Sequence, residues 1–109
     1  MPRGYTTAMI QRVMDGDGND LGTHLGQLCI QANLTPKGIA EILGVQRATL
    51  RYWYLGGKVR KDRWKVEKLA GIISNDLEGG FLPAVTRDDA HVYLVDLRAF
   101  MDTLLPPSA

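Results

Sequence analysis

A chain of 109 residues, 45% of them hydrophobic, has room for one domain and is too apolar to remain disordered. No apolar run reaches the length of a membrane span, the first residues lack the apolar core of a secretory leader, and the single cysteine, Cys29, has no partner for an internal disulfide, so a cytoplasmic location is expected. The net charge is only +1 but unevenly spread: residues 46–68 hold eight cations against Asp62 and Glu67, a net +6, while the rest holds five cations against ten anions.

Residues Tyr5 to Met14 read as a short helix. Thr6 or Thr7 is placed to cap it, and Met9, Ile10, Val13 and Met14 form its apolar stripe. The acidic run Asp15 to Asp20 has oxygen ligands at the first, third and fifth positions of a calcium loop. It lacks the glycine at the sixth and the carboxylate at the twelfth, where Asp20 and Gly26 stand. It reads as a polar turn that supplies an N-cap, Asn19 or Asp20, to the next helix. That helix spans Leu21 to Ala32, with Leu21, Leu25, Leu28 and Cys29 at helical spacing. His24 has no Cys, Asp or His at ligand spacing and is read as structural or solvent-exposed.

The next stretch, Leu34 to Gly57, is the most informative. Thr35 can cap a helix that has Pro36 at its first position, and Ile39, Ala40 and Leu43 share one face. Gly44 ends it where positive φ is wanted, and Val45 follows as a buried plug. Gln46 can start a second helix whose inner face holds Leu50 and Trp53, and Gly56-Gly57 stops it. Two helices around a short glycine turn are the helix-turn-helix arrangement. Tyr52 and Tyr54 each fit either a groove contact or half-buried packing.

Thr35, Ile39, Ala40, Leu43, Gly44, Val45, Arg47, Ala48, Thr49, Leu50, Trp53 and Gly56-Gly57-Lys58 follow the pattern LT…IA..LGV.RAT…W..GGK. This stretch resembles the helix-turn-helix of the Xre-like family, the Cro and lambda-repressor type, and is most similar to small phage regulatory proteins. The similarity extends loosely from Leu21 to Ile73. It implies that the second helix enters the major groove of double-stranded DNA with Gln46, Arg47, Ala48, Thr49, Arg51 and Tyr52 as candidate base contacts. Gln46 suits adenine, Arg47 or Arg51 guanine, and Ala48 or the Thr49 methyl group a thymine methyl. Thr35 and Lys37, together with Lys58, Arg60, Lys61 and Arg63, are the expected phosphate contacts. Gln46 stands where the family usually has Ser or Thr, and Tyr54-Leu55 are bulkier than its usual residues.

Asp62 to Asn75 reads as a further helix capped by Asp62, with Trp64, Leu69, Ile72 and Ile73 on its apolar face and Val66 and Ala70 at the margin. Two strands are expected next, Phe81 to Val85 and His91 to Val95, with Thr86 to Ala90 as the hairpin turn and Pro83 marking an edge. Asp96 then caps a last helix bearing Leu97, Phe100, Met101, Leu104 and Leu105, ended by Pro106-Pro107. This hairpin and helix is similar to a piece of excisionase-like and MerR-like DNA-binding domains. As a wing it would carry Arg87 at its tip, but Asp88-Asp89 there would repel phosphate, which favours a dimerising or core-completing unit.

The expected fold is therefore mainly α: a helix-turn-helix bundle of four to five helices, then a β-hairpin and a final helix. Residues 1–75 form the DNA-binding domain, with the motif at 35–57, and 76–109 an extension. The expected function is sequence-specific DNA binding as a homodimeric transcription regulator, a repressor of phage or bacterial type, with half-sites ~34–36 Å apart. Two rivals are a DNA-bending accessory of recombination or packaging, and a phage module that inhibits a host protein. No nucleophile elbow, phosphate-binding glycine loop or Cys/His cluster supports an enzyme, and neither metal nor cofactor is expected.

Overall fold

The computed structural model describes residues 4–107. Their helices are α1 (Thr7–Met14), α2 (Leu21–Gln31), α3 (Pro36–Leu43), α4 (Arg47–Tyr54), α5 (Arg63–Glu78) and α6 (Arg87–Asp102). No strand occurs among the described residues. No helix among them is long and apolar enough to cross a membrane.

The centre of the molecule is α2, which packs against α1, α4 and α5. Its Leu25 and Cys29 are fully buried, with Leu28 and Ile30 nearly so. Small residues set how closely α4 approaches. A Cβ on Gly22 would lie 2.5 Å from the Trp53 carbonyl oxygen, and one on Gly26 would lie 2.8 Å from the Tyr54 ring. With glycine one turn apart at both positions, the backbone of α4 can rest directly on α2. The Thr23 hydroxyl then donates to the Tyr54 carbonyl at 3.2 Å, satisfying one of the carbonyls left open at the end of α4.

Local signals account for most helix boundaries. Thr6 caps α1 by accepting from the Met9 amide at 3.1 Å, and Thr35 caps α3 by accepting from the Gly38 amide at 3.2 Å. Pro36 opens α3, and Gly44 closes it at φ 69°. Tyr5 precedes α1 but is buried, its hydroxyl donating to the Leu34 carbonyl at 2.8 Å. The Asp15 to Asp20 turn is exposed and is held from α2 by Gln27, whose amide donates to the Val13 and Gly16 carbonyls.

Two expected caps act differently. Asp20 and Asp62 do occupy the N-cap positions of α2 and α5, but neither side chain makes a capping hydrogen bond. Asp62 instead takes a left-handed backbone, φ 54°. On α5 the buried face is Val66, Leu69, Ala70 and Ile73, while Trp64 and Ile72 are half-buried. Val66 and Ala70, expected at the margin, thus belong to the buried face, whereas Trp64 and Ile72, expected on it, are covered only in part. Val45, expected as a plug, is half-buried.

The expected C-terminal hairpin does not form. Residues 81–85 do alternate, with Leu82 and Ala84 buried and Phe81, Pro83 and Val85 exposed. Their polar groups bond to helix ends instead of to a strand: the Phe81 and Leu82 amides donate to the Asp76 carbonyl of α5, the Ala84 amide donates to the Ala32 carbonyl at 3.0 Å, and the Asn33 side chain donates to the Ala84 carbonyl at 2.9 Å. The supposed second strand lies inside α6. Thr86 caps this helix by accepting from the Asp89 amide at 3.0 Å, and Asp88 and Asp89 lie in its positive first turn. Asp96, expected as the cap, is in its middle. The buried residues Ala90, Leu97 and Met101 and the half-buried Tyr93 and Leu94 have helical spacing, which a strand cannot use. Phe100 and Leu105, expected on the inner face, are exposed.

The docking partner of α6 is α3. A Cβ on Gly38 would lie 2.6 Å from a methyl carbon of Leu94, so this glycine is the seat of that contact. Tyr93 also donates from its hydroxyl to Asp76 of α5 at 2.5 Å.

Candidate nucleic-acid interface

The three residues Gly44, Val45 and Gln46 join α3 to α4, and the two helices pack on each other. Because Leu50, Trp53 and Tyr54 are buried, the positions opposite them on α4 are turned outward. Gln46, Arg47, Ala48, Arg51 and Tyr52 are exposed, and Thr49 is half-buried. The Gln46 side chain makes no capping bond to α4, so its amide remains available. The two tyrosines separate: Tyr54 is fully buried, whereas Tyr52 is 61% exposed, its ring lying over Gly57.

Behind α4 the core holds three ionisable groups in neutral form. Burial pushes the Cys29 thiol up to about 12. It also raises the phenols of Tyr5 and Tyr54, each raised further by the neighbouring Cys29. None is a reactive group at neutral pH, since nucleophilicity requires thiolate or phenolate.

The outward face of α4 has a shallow depression on each side. Toward α5, Thr49 lines a cleft of about 180 Å³ with Lys61, Asp62 and Lys65. Toward α1, Arg47, Ala48 and Arg51 line a cleft of about 420 Å³ whose far wall is Gly4, Tyr5, Thr6 and Met9. None of Lys37, Arg47, Arg51, Lys58, Arg60 and Lys61 forms an ion pair among the described residues. These cations are unneutralised, and Lys37, Lys58, Arg60 and Lys61 are exposed.

Two expected phosphate contacts are otherwise engaged. Arg63 donates from Nε to Glu67 at 3.1 Å and borders the Gly56 to Val59 loop beside the start of α2. The Thr35 oxygen is already the cap of α3. The structure also gathers basic side chains that linear reading left apart. Arg87, His91 and Arg98 of α6 share a groove with Lys37 and Arg47. The signal was present in their spacing, since positions 87, 91 and 98 fall on one helical edge. It is visible only once 87–102 is read as helix. Lys65 joins Thr49 for a similar reason, as α5 begins beside the α3–α4 turn.

Among the described residues no cluster of three His, Cys, Asp or Glu side chains could hold a metal ion. Comparison with protein-family models, with curated proteins and with solved structures finds no match to this chain.

Proposed function

We propose that this chain is a sequence-specific double-stranded DNA-binding protein that reads the major groove with α4. It acts as a transcription regulator, a repressor of phage or bacterial type, and works as a homodimer on a two-fold related site. The observation that carries this reading is the outward face of α4: Gln46, Arg47, Ala48, Arg51 and Tyr52 are exposed on a short helix anchored from behind, between unneutralised cations. Amide, guanidinium and methyl groups are the chemistry that distinguishes base edges, each good bidentate pair discriminating by ~1–3 kcal/mol. Lys37, Lys58, Arg60 and Lys61 supply phosphate contacts that set position and affinity. The resemblance of residues 34–58 to the Xre-like pattern supports the same assignment. Self-association is supported by α6, whose outer side exposes Val92 and Phe100 at 58% and 47%.

Selection of bound sequences from random duplex DNA, repeated at two salt concentrations, tests the proposal. An enriched two-fold symmetric motif is expected at both. Absence of enrichment, with binding that vanishes at modest salt, would overturn it. Arg47→Ala should relax preference at one base position, while Lys61→Ala should weaken all sequences alike.

A further inference from the structure

The groove between α3 and α6 is a second concentration of positive charge, which meets the +6 segment at Arg47. It measures about 580 Å³ and is open to solvent along α6. Lys37 and Arg47 line it from the starts of α3 and α4, and Arg87, His91 and Arg98 line it from α6. Among the described residues Glu41 is its only carboxylate. That carboxylate lies 4.0 Å from Arg98, with both side chains more than half exposed, so the pair is weak and leaves the groove strongly positive.

Three features make this a built surface. First, Arg87, His91, Leu94 and Arg98 follow one edge of α6 at steps of four, three and four residues. Leu94 is the residue that seats α6 on Gly38, so the same contact that docks the helix fixes the line of its basic side chains along α3. Second, Asp88 and Asp89 do not line the groove. In a hairpin tip they would sit beside Arg87. In the first turn of a helix neither lines the groove, Asp88 standing on the adjoining stripe three residues before His91, and both favour the positive helix start. Third, Arg47 belongs both to this groove and to the cleft along α4, which makes the two positive surfaces continuous.

We infer that the basic edge of α6 is a phosphodiester-binding rail: Arg87, His91 and Arg98, together with Lys37, hold the backbone of the same duplex whose bases α4 reads. The inference rests on the DNA-binding reading of α4. It assigns to the C-terminal helix a role in affinity and register, and none in choosing bases. Guanidinium groups suit it because they fork onto phosphate oxygens.

The test compares the full chain with Arg87→Gln/Arg98→Gln and with Glu41→Gln, on a duplex carrying the selected motif and on a scrambled duplex. Thermal melting verifies that each variant is folded. The double variant should lose affinity for both duplexes alike, on the order of tenfold near physiological salt, and should enrich the same motif as the unaltered protein. Its plot of log affinity against log salt should be shallower by roughly 1.8, two phosphate contacts at about 0.9 each. Glu41→Gln, which removes the groove's carboxylate, should raise affinity for both duplexes by a few-fold and keeps the question open to test if the double variant does not fold. An unchanged affinity and salt slope in the folded double variant, or an unchanged affinity in Glu41→Gln, overturns the rail while leaving an enriched motif, and so the reading of α4, intact. Failure of the unaltered protein to enrich any motif overturns the reading of α4, and the rail with it.

Discussion

Helices α4 and α6 are both amphipathic and both border the same positive surface, yet they are held in different ways. The eight residues of α4 bury Leu50, Trp53 and Tyr54. They lie on a pair of glycines that admit backbone contact, and Thr23 ties down the last turn. The sixteen residues of α6 bury only Ala90, Leu97 and Met101, and rest on α3 with Leu94 against Gly38. The first is a short element fixed from behind, as a helix that must present side chains at set positions requires. The second is a long element held along one strip, with an outer apolar side left uncovered. Fixed presentation and broad availability are separate physical properties, and this chain divides them between two helices.

The largest test of that division is pH. Cys29 lies on the α2 side that supports α4, and burial moves its thiol from 9.0 to about 12. A group raised on folding binds its proton more tightly in the native state, so its contribution is complete below about pH 9 and is lost as pH rises toward 12. The thiol's share of the loss at pH 12 is on the order of 4 kcal/mol, and the buried phenols of Tyr5 and Tyr54 add to it in the same direction. Near-UV circular dichroism and urea unfolding should be flat from pH 6 to 9 and fall steeply above it. A flat profile to pH 12 would mean that the support behind α4 is not sealed from water.

Leu50→Ala comes next, with an expected cost of about 2–5 kcal/mol. Urea denaturation should show it as a lower midpoint with an unchanged slope. Gly22→Ala should destabilise by about 1–3 kcal/mol through overpacking, despite the better helix propensity of alanine. It should also weaken DNA binding, because the new methyl group meets the Trp53 carbonyl and must displace α4. If Gly22→Ala stabilises the protein, the direct contact of α2 with α4 is wrong.

Thr86→Ala removes the side-chain cap of α6 and should cost about 1 kcal/mol. Hydrogen exchange should speed up in the first turns of α6 and stay unchanged in α4. Equal acceleration in both would show that the two helices open as one unit, which would erase the contrast. The smallest effect on stability is expected from Arg51→Ala, within about 0.5 kcal/mol. Its effect should appear in sequence preference at one base position and nowhere in the melting curve.

The boundaries of α3 and α4 were readable from Thr35, Pro36, Gly44 and Gln46 because caps and turns act over a few residues of backbone. The candidate contact face was readable for the same reason, with Leu50 and Trp53 marking the side opposite. The C-terminal segment was misread although Thr86-Arg87-Asp88-Asp89 carries a helix start, since a short apolar run such as 91–95 has no period of its own. Its pattern becomes helical only when Ala90, Leu97 and Met101 are seen to share a side, and that side is defined by α3.

Local chemistry thus set the helix starts, the left-handed turn at Gly44 and the charge imbalance of residues 46–68. Packing set the rest. It sent Tyr54 inward and Tyr52 outward, put Val66 on the buried face of α5 and brought Arg87, His91 and Arg98 beside Lys37 and Arg47. Each of these outcomes depends on which surface another helix offers. Gly22, Gly26 and Gly38 determine those surfaces by the side chains they lack, a signal that acquires meaning only when two helices are close enough for a methyl group to matter.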